Sequence, residues 1–491
     1  MSELDYDVIV VGAGNAALAA ATAASQAGAK RVVVLEKAPE HMRGGNTHYS
    51  GGLFRIAFDE AEDLRPLVPD AEDEVPGFFD NVTPYPQSRF WEDLLRVTDG
   101  RTDRELGEIL IGRSYDAIRW MHECGIEMEP ATALSGVKVG NRVTFPSGAV
   151  IRAVHEGVGL SARWFDIVEQ RGIEVRYRTA ARGLLQEISG RVVGVAIKGP
   201  GGFAELRARA VVLACGGFEA NQAWRARYLG SPWDHAKVRG TPHNTGDGLK
   251  MALDIGALAY GQWTGCHSTP IDAEAPSHGD RELTDKTNRL SYPFGVLVNR
   301  RGKRFLDEGE DFQLYTYAKT GGAILREPGG VAYQIFDAKT SHLLEPRYVT
   351  ATPVEADSLE ALVARLPLDQ EACLETLRAY NAAAGAGTFD PSVKDGIHTQ
   401  GVSPAKSNWA LPLDSPPYVA YSSTGGITFT FGGLKVDEGA RVFDNAQEPI
   451  AGLFACGELV GGLFHHNYPG GSGLVSGAVF GRIAGAGAAG A

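Results

Sequence analysis

The sequence has few cysteines, and those it has are scattered. Five cysteines stand far apart among 491 residues, and no two of them form a CxxC pair. An odd number at such spacing excludes a disulfide framework and indicates reduced thiols. It also excludes an iron–sulfur cluster held within this chain, because such clusters take about four cysteine thiolates. We therefore expect no metal site.

Long apolar runs and positive charge are lacking as well. No apolar run approaches the roughly 18 residues that span a bilayer, and the acidic residues 1–6 lack the basic region of a signal peptide. The formal net charge of −13 leaves no basic face for nucleic acid or an anionic membrane. We expect a cytoplasmic protein that neither inserts into a membrane nor binds nucleic acid.

A strand–helix–strand unit opens the chain. Residues 7–11 (DVIVV) and 31–35 (RVVVL) are continuous β-branched runs, typical of strands buried on both faces. The alanine-rich stretch between them predicts a helix that closes at Gly28, and a right-handed crossover makes the two strands parallel. The sequence thus predicts an α/β fold.

Other parts of the chain give weaker signals. The acidic, proline-rich stretch 54–100 predicts a surface excursion, and residues 104–125 have helical spacing. Residues 174–199 and 205–213 predict strands that lead back to the main sheet. The glycine- and alanine-rich tail after Gly481 predicts a closely packed helix that frays.

A glycine-rich turn follows the first strand. The motif Gly12-Ala13-Gly14-Asn15-Ala16-Ala17 (GxGxxA) lies between strand and helix, where its backbone can approach a pyrophosphate at the helix N-terminus. Glu36 stands at the end of the second strand, where a carboxylate accepts hydrogen bonds from a ribose diol. The unit therefore predicts dinucleotide binding, but it does not distinguish FAD from NAD.

Three later segments favour FAD. Residues 209–217 (RAVVLACGG) and 452–458 (GLFACGE) are buried strands that end in glycine, and they resemble the later FAD-contact strands of flavoproteins. Ser472-Gly473-Leu474 opens a helix whose N-terminus can stabilise negative charge on the flavin pyrimidine ring.

Five further segments carry a specific family resemblance. Residues 43–52, 244–248, 302–305, 431–435 and 457–462 resemble, in order, segments of the fumarate reductase/succinate dehydrogenase flavoprotein superfamily. The resemblance implies a Rossmann-like FAD-binding domain interrupted by an α+β capping domain. We expect the FAD-binding domain at 1–261 and 429–491 and the cap at 262–428.

The resemblance also implies how FAD is held. The histidine that attaches FAD covalently in some members falls on Asn46, which predicts non-covalent FAD, with His48 lining the flavin environment. The expected cofactor residues come from all the motifs above: Gly12, Gly14, Asn15, Ala16, Glu36, Lys37, Gly44, Gly45, Asn46, Thr47, Gly51, Gly52, Ala214, Gly216, Gly217, Asn244, Gly246, Asp247, Gly457, Glu458, Ser472, Gly473 and Leu474.

The active-site pattern of fumarate reductases is mostly missing. Of five family positions, His267 is kept, whereas the others fall on Ser291, Phe312, Phe429 and Tyr468. The general acid and the arginine clamp for carboxylate are therefore absent. The chain is not expected to be a fumarate reductase.

The last segment suggests the reaction instead. Residues 461–474 (GGLFHHNYPGGSGL) resemble the tricarballylate dehydrogenases, and the Tyr-Pro-Gly element also resembles the 3-ketosteroid Δ1-dehydrogenases. We expect desaturation of a Cα–Cβ bond in a carboxylic acid, as in tricarballylate to cis-aconitate. The alternatives are desaturation of a ketone and a flavoprotein that serves mainly an electron-transfer partner.

Desaturation requires an activated α-proton, a base and a hydride acceptor. Tyr468 and the amides after Gly470 are expected to bind the carboxylate or carbonyl oxygen. The remaining candidates are a histidine for binding or proton transfer, a base, a carboxylate contact and two possible substrate histidines: His267, Tyr292, Arg289, His465 and His466, in that order. A separate protein, a quinone or O₂ must accept the electrons.

Overall fold

The structure is a computed structural model that describes residues 4–491. Its helices are α1 Asn15–Gln26, α2 Ala71–Glu74, α3 Phe78–Asn81, α4 Gln87–Val97, α5 Arg104–Cys124, α6 Thr132–Ser135, α7 Glu156–Gln170, α8 Gln222–Trp224, α9 Asp247–Asp254, α10 Gln313–Arg326, α11 Leu359–Val363, α12 Gln370–Ala383 and α13 Ser472–Ala489.

The strands follow the same order along the chain. They are β1 Tyr6–Val11, β2 Val32–Leu35, β3 Leu53–Phe54, β4 Met128–Pro130, β5 Val137–Val139, β6 Arg142–Thr144, β7 Ile151–Ala153, β8 Glu174–Arg176, β9 Ala180–Gln186, β10 Val192–Gly199, β11 Gly202–Leu213, β12 Lys237–Val238, β13 Ala259–Asp272, β14 Val296–Asn299, β15 Val331–Phe336, β16 Val354–Ala356, β17 Tyr418–Leu434, β18 Arg441–Phe443 and β19 Pro449–Ala455.

The first sheet is mainly parallel and has β1 at its centre. Its strand order is β18-β19-β11-β1-β2-β8, with β10 and β9 added antiparallel beside β11. Val8 pairs with Val32 on one side and Ala210 on the other. Every residue of β1 is buried, which is why the strand is a continuous apolar run. The predicted α/β fold is confirmed, and Gly28 closes α1 with a φ of 101°.

The C-terminal helix α13 packs against α1 through small residues. A Cβ on Gly481 or Gly485 would collide with the carbonyl oxygen of Ala16 or Ala20, respectively. The predicted close packing is therefore present. The predicted fraying is wrong, because the helix continues to Ala489 with Ala484 and Ala488 buried.

A second, six-stranded sheet covers the carboxyl ends of the first. The long strand β17 lies at its centre and pairs with β12, β13, β15 and β16, while β14 joins β15. Helix α10 packs closely on this sheet, since a Cβ on Gly321 would lie within 2.6 Å of backbone atoms of Ser268 and Thr269. The predicted cap bounds of 262–428 stay a prediction; β13 begins at Ala259 and β17 ends at Leu434.

The stretch 54–100 is not the surface excursion that its composition predicts. Arg55 is fully buried, as are Phe78 and Phe90. The guanidinium of Arg55 donates to the hydroxyls of Tyr85 (2.8 Å) and Tyr315 (3.2 Å). The apolar and aromatic residues spaced among the acidic ones are buried. The average composition of the stretch is therefore a poor guide, because these residues belong to the core.

Within residues 4–491, no helix combines the length and the apolar character needed to cross a bilayer. The same residues contain no group of three or more His, Cys, Asp or Glu side chains arranged to hold a metal ion.

Candidate functional site

One cavity runs from the β1–α1 turn to the second sheet. Its walls come from the ends of β1, β2 and β11, the N-terminus of α13, one face of α10 and residues 428–431 of β17. We call the part beside the β1–α1 turn the nucleotide end and the part beside α10 and β17 the substrate end.

The β1–α1 turn at the nucleotide end leaves no room for side chains. Gly12 has a φ of 107°, and a Cβ there would lie 2.7 Å from Cys215 Cα and closer still to the Ala214 carbonyl oxygen. A Cβ on Gly14, in contrast, would meet nothing closer than Thr47 Oγ1 at 3.5 Å. The turn therefore rests directly on the end of β11 and keeps its other side open to the cavity.

Asn15 fixes the start of α1. Its backbone N–H donates to Thr47 Oγ1 (2.9 Å), and its side-chain amide donates to the Leu474 carbonyl (2.8 Å). Its side-chain oxygen accepts from the Trp164 indole (2.8 Å). Asn15 thus ties α1 to α7 and α13, and the first turn of α1 is held against the opening of α13.

Two charged residues follow β2. Glu36 is buried, and burial raises the pKa of its carboxyl above the usual range; one oxygen accepts from the Ala38 N–H (2.7 Å). The Lys37 ammonium lies 2.7 Å from an Asp247 carboxylate oxygen and 2.6 Å from Thr245 Oγ1. A carboxylate at the end of β2 and a balanced ion pair beside it suit a neutral ribose diol.

The middle of the cavity is walled by buried carboxyls and amides. Glu458 lines the cavity and accepts from the Thr430 N–H (2.7 Å). Glu219 lies behind it and accepts from the side-chain amides of Asn46 (2.7 Å) and Asn244 (2.6 Å). Burial first, and the neighbouring Glu458 second, raise the pKa of Glu219 well above its usual value. Asn46 therefore acts as a brace in this wall.

Most predicted cofactor residues line the cavity. The ones that do are Gly12, Gly14, Asn15, Ala16, Glu36, Lys37, Gly45, Asn46, Thr47, Gly51, Ala214, Gly216, Asn244, Asp247, Gly457, Glu458, Gly473 and Leu474.

The remaining predicted cofactor residues lie behind the wall. They are Gly44, Gly52, Gly217, Gly246 and Ser472. The glycines among them serve close packing: a Cβ on Gly52 would lie 2.9 Å from backbone atoms of Glu156. His48 does not line the cavity either; burial lowers its pKa to about 4 and its ring packs edge-on against Tyr49.

These residues fit a bound dinucleotide flavin. The open side of Gly14 and the N-terminus of α1 suit a pyrophosphate, and Glu36 suits the adenosine ribose. Gly473 and Leu474, in the first turn of the 18-residue helix α13, line the cavity further on. The positive end of this helix suits an isoalloxazine ring that gains negative charge on reduction.

Two tyrosine hydroxyls meet at the substrate end. Tyr317 on α10 and Tyr468 in the loop before α13 are both buried, and their oxygens lie 2.6 Å apart. The Gly471 N–H also donates to the Tyr468 oxygen (3.3 Å). Burial raises the pKa of both phenols, so both stay protonated and act as hydrogen-bond donors.

Arg55 holds the loop that carries Tyr468 through hydrogen bonds to its backbone. The Arg55 Nε donates to the Gly470 carbonyl (2.8 Å), and its backbone N–H donates to the Gly471 carbonyl (3.2 Å). The same guanidinium is fixed by the buried hydroxyls of Tyr85 and Tyr315. The stretch 54–100 therefore supplies the support of the tyrosine pair.

His267 on β13 lies against the tyrosine pair. Its ring centroid is 4.8 Å from that of Tyr317, 4.9 Å from Tyr468 and 5.1 Å from Phe429. Burial, and next the positive charge of Arg239, lower the pKa of His267 well below its usual value. The imidazole is therefore neutral at physiological pH, and its buried Nδ1 has no hydrogen-bond partner.

Two arginines and an aspartate complete the substrate end. The carboxylate of Asp285 lies between Arg239 (2.5 Å) and Arg347 (2.8 Å), and all three residues line the cavity. Arg239 also makes a long contact with Thr428 Oγ1 (3.4 Å), while its buried Nε has no partner. Arg347 is paired as well with Glu345 (3.4 Å). We call Arg239, Asp285, Arg347 and Glu345 the arginine cluster.

Two predicted catalytic residues are engaged elsewhere. Tyr292 is buried outside the cavity, where its hydroxyl bonds to Thr316 Oγ1 (2.5 Å) and burial raises its pKa, so it is not placed to act as the base. Arg289 is also outside, paired with Asp272 (2.8 Å) and bonded to the Asn288 carbonyl (2.7 Å). The sequence places both near the cap motif, but their side chains support the cap and do not face the cavity.

The adjacent histidines also lie outside the cavity. His466 is about half exposed, its backbone N–H donates to Gln262 (2.7 Å), and its ring is 3.9 Å from Asp99. His465 is partly exposed and packs edge-on against His466. Of the six predicted catalytic residues, the structure brings Tyr468 and His267 together and leaves these four apart.

The sequence prediction missed four residues that do line the substrate end. Tyr317 stands three residues after Leu314, which also lines the cavity, so the helical face shared by the two was a usable signal. Asp285 and Arg347 lie in short 3₁₀ helices and Arg239 directly follows β12, and no local pattern marks the three residues. Folding brings them together from three distant parts of the chain.

Comparison with known proteins identifies the class. A family profile described as "FAD binding domain" matches residues 7–475. The chain belongs to this family and to the fumarate reductase/succinate dehydrogenase flavoprotein superfamily. It is an FAD-dependent oxidoreductase of the class that acts on CH–CH groups. The predicted cofactor and enzyme class are thus confirmed.

Three curated relatives cover nearly the whole chain. "Fumarate reductase (cytochrome)" of Shewanella frigidimarina is 30% identical over 488 residues, spanning 98% of this chain and 76% of that protein. "4-Oxocyclohexanecarboxylate 2-dehydrogenase" of Sinomonas cyclohexanicum is 28% identical, spanning 95% and 89%. "3-Oxosteroid 1-dehydrogenase" of Mycolicibacterium smegmatis is 26% identical, spanning 99% and 97%.

Two solved structures share the fold. The open conformation of a flavocytochrome c3 fumarate reductase has a TM-score of 0.72 and 26% identity, covering 99% of this chain and 78% of that one. The 3-ketosteroid Δ1-dehydrogenase of Sterolibacterium denitrificans has a TM-score of 0.74 and 22% identity, covering 99% of both chains. At that identity, the second likeness shows the fold alone.

Proposed function

We propose that the protein desaturates the Cα–Cβ bond next to a ketone. The observation that carries the proposal is the buried pair of phenols, Tyr317 and Tyr468, whose oxygens lie 2.6 Å apart in the cavity beside the α13 N-terminus. Ketone desaturation was the alternative expectation from the sequence, and the tyrosine pair favours it over the tricarballylate-type reaction.

The tyrosine pair is suited to polarising a carbonyl. The Tyr468 oxygen accepts from the Gly471 N–H, which leaves its O–H free to donate to a substrate oxygen. Either hydroxyl can be the donor in the bond between the two tyrosines. When Tyr317 donates, it strengthens the donation from Tyr468 to the substrate, because a hydrogen bond received makes an O–H a better donor. Donors fixed where an enolate oxygen develops lower the barrier to removal of the α-proton.

His267 is our candidate for the group that takes the α-proton. Both phenols are held protonated by burial, whereas the imidazole is neutral and its buried Nδ1 has no hydrogen-bond partner, so this atom is placed to accept the proton. The positive charge of Arg239 favours the enolate in the same pocket. FAD, when bound, supplies the acceptor for the hydride that leaves Cβ.

The charges at the substrate end do not suit tricarballylate. Of the cationic side chains that line the cavity within residues 4–491, Lys37 is paired with Asp247 at the nucleotide end. Arg239 and Arg347 remain, and they share Asp285. Three substrate carboxylates would bury negative charges without partners, at a large cost in free energy.

Two curated relatives support a ketone substrate by their names. The dehydrogenases named for 3-oxosteroid and for 4-oxocyclohexanecarboxylate both take an oxo compound, and each is matched over most of its length. The tyrosine pair offers a place for such an oxo group. A separate electron acceptor, a protein or a quinone, would reoxidise the flavin; a flavoprotein that serves mainly such a partner remains the third candidate from the sequence.

Anaerobic reduction of the bound flavin tests the proposal. The protein, with its FAD shown to be released by acid as expected for non-covalent binding, is mixed with 4-oxocyclohexanecarboxylate, a 3-ketosteroid, tricarballylate or succinate. We expect the visible flavin absorbance to bleach with at least one ketone and with neither polycarboxylate. Bleaching by tricarballylate or succinate, with no response to any ketone, would overturn the proposal.

Proton abstraction can be followed without the redox step. The α-hydrogens of the ketone should exchange with D₂O in the presence of enzyme, as measured by mass spectrometry. We expect His267→Ala to abolish the exchange and Tyr317→Phe to slow it. Exchange that survives in His267→Ala but is lost in Tyr317→Phe would move the role of base to the phenol.

A further inference from the structure

The substrate end holds more positive charge than a neutral ketone requires. Arg239 and Arg347 both line the cavity, and their side chains are nine-tenths or more buried. Buried arginines are normally matched by carboxylates. Within the arginine cluster one carboxylate, Asp285, serves both guanidinium groups, so the pairing is incomplete.

The hydrogen-bonding capacity of Arg239 shows the same deficit. A guanidinium has five N–H donors in a planar fork. The Nη2 of Arg239 donates to Asp285 and the Nη1 makes a long contact with Thr428, while the buried Nε has no partner. An unpaired donor at this depth is costly unless a ligand satisfies it.

The second carboxylate of the cluster does not remove the deficit. Glu345 lies 3.4 Å from Arg347, and burial raises the pKa of Glu345 to about 7. Near neutral pH Glu345 is therefore partly protonated. Without a ligand the cluster therefore carries between zero and one net positive charge, which one further carboxylate would neutralise.

We propose, on the basis of the ketone desaturation above, that the substrate is an oxo acid with a single carboxylate and that Arg239 and Arg347 bind this carboxylate beside Asp285. The oxo group lies at the tyrosine pair and the carboxylate at the arginine cluster. Asp285 acts as the built-in counter-charge that limits the subsite to one anion. The position of the carboxylate-clamping arginine of fumarate reductases falls on Tyr468 here, so this anion subsite is built from other residues.

Binding of unreactive probes tests the inference independently of catalysis. Isothermal titration of the FAD-loaded protein compares cyclohexanecarboxylate with cyclohexanecarboxamide, which has the same shape without the charge. We expect the carboxylate to bind about 10- to 100-fold more tightly than the amide. Equal affinities for the two probes, or no binding of the carboxylate, would overturn the inference.

Two variants with opposite expected effects assign the subsite. Arg239→Lys keeps the charge but loses the fork, so carboxylate affinity should fall about tenfold. Asp285→Asn removes the competing anion, so affinity should rise, which loss of structure alone would not produce. Arg119→Lys, on the exposed face of α5, is the matched control and should change nothing.

The outcomes separate this inference from the proposed function. Selective binding of the carboxylate with no flavin reduction by any ketone would uphold the anion subsite and defeat the desaturation. Ketone-driven bleaching with equal binding of carboxylate and amide would uphold the desaturation and defeat the anion subsite. Carboxylate affinity that is unchanged in both Arg239→Lys and Asp285→Asn would also overturn the assignment.

Discussion

The two ends of the cavity are built in different ways. The nucleotide end consists of contiguous motifs in which glycines let backbone segments pack closely and keep one side open to the cavity, as at the Gly12–Gly14 turn. The substrate end consists of single side chains from distant segments, such as His267 on β13, Tyr317 on α10 and Tyr468 before α13. One end is defined by backbone shape and the other by side-chain chemistry.

This difference explains what each end can tolerate. A backbone cradle recognises phosphate and ribose groups that all flavoproteins of the family share, and any added side chain obstructs it. Side chains held by a second sheet can be exchanged one at a time while the fold persists. This chain is an example. Four of the five active-site positions of fumarate reductases carry other residues here, whereas the fold matches that of a fumarate reductase with a TM-score of 0.72.

The largest expected effect is the loss of FAD when a side chain is added to the β1–α1 turn. Gly12→Ala places a Cβ 2.7 Å from Cys215 Cα at a φ of 107°, so the purified variant should contain no FAD, as judged by the ratio of visible to ultraviolet absorbance. Gly28→Ala is the matched control, because its φ is 101° but nothing lies within 4 Å. It should keep FAD and lose about 1–3 kcal/mol of stability from backbone strain alone. FAD retention by Gly12→Ala would break the comparison.

At the substrate end, loss of one hydroxyl should affect turnover and not the cofactor. Tyr468→Phe removes the donor to the substrate oxygen, and we expect kcat to fall about 10²- to 10³-fold with FAD content unchanged. Tyr292→Phe, a buried phenol outside the cavity, is the control and should keep its turnover. Equal losses in both variants would mean that the tyrosines contribute through packing alone.

The α1–α13 interface should lose stability when a side chain is added, because the two helix backbones are in close contact there. Gly485→Ala would place a Cβ 2.9 Å from Ala20 Cα and against its carbonyl oxygen. We expect a loss of about 1–3 kcal/mol of stability in chemical denaturation with saturating FAD. Gly490→Ala, where the nearest atom is 3.8 Å away, should be neutral. A Gly485→Ala variant as stable as the parent would show that the two helices can move apart.

The smallest expected effect is the pH dependence of stability that Glu345 contributes. Burial raises the pKa of Glu345 to about 7, so the folded state holds the proton more tightly than the unfolded chain. This carboxyl therefore favours folding below its ordinary pKa of 4.5, and the contribution is lost as pH rises to about 7. Arg347, Asp285 and Arg289 face it, with the Leu290 N–H, and the two arginines oppose the shift.

Denaturation at pH 5 and pH 8 measures this contribution. Glu345→Gln should reduce the dependence of stability on pH by about 1–3 kcal/mol relative to the parent protein. Carboxylate binding should weaken above pH 7 in the parent, where Glu345 becomes charged, and lose that dependence in the variant. Glu187→Gln, at an exposed position, is the control; the same pH profile in parent and Glu345→Gln would contradict the assignment.

The sequence predicted the nucleotide end in detail because its signals are local. The GxGxxA turn, the position of Glu36 and the helix that opens at Ser472 are each readable within one short segment, since strand burial and glycine placement follow from neighbouring residues. Five predicted cofactor residues lie just behind the wall, among them Gly44 and Gly52. Their glycines are required for close packing. From the sequence alone, such a glycine cannot be distinguished from one that contacts a ligand.

The substrate end required the tertiary structure. Family positions pointed to His267 and Tyr468, which line the cavity, whereas Tyr292 and Arg289 lie outside it. Proximity along the chain does not fix where a side chain points. The sequence by itself determined the family, FAD and the α/β fold, since these depend on local pattern and backbone geometry. Only the tertiary structure decided that Arg239, Asp285 and Arg347 meet beside a tyrosine pair, because long-range packing of two sheets sets which charges share a cavity.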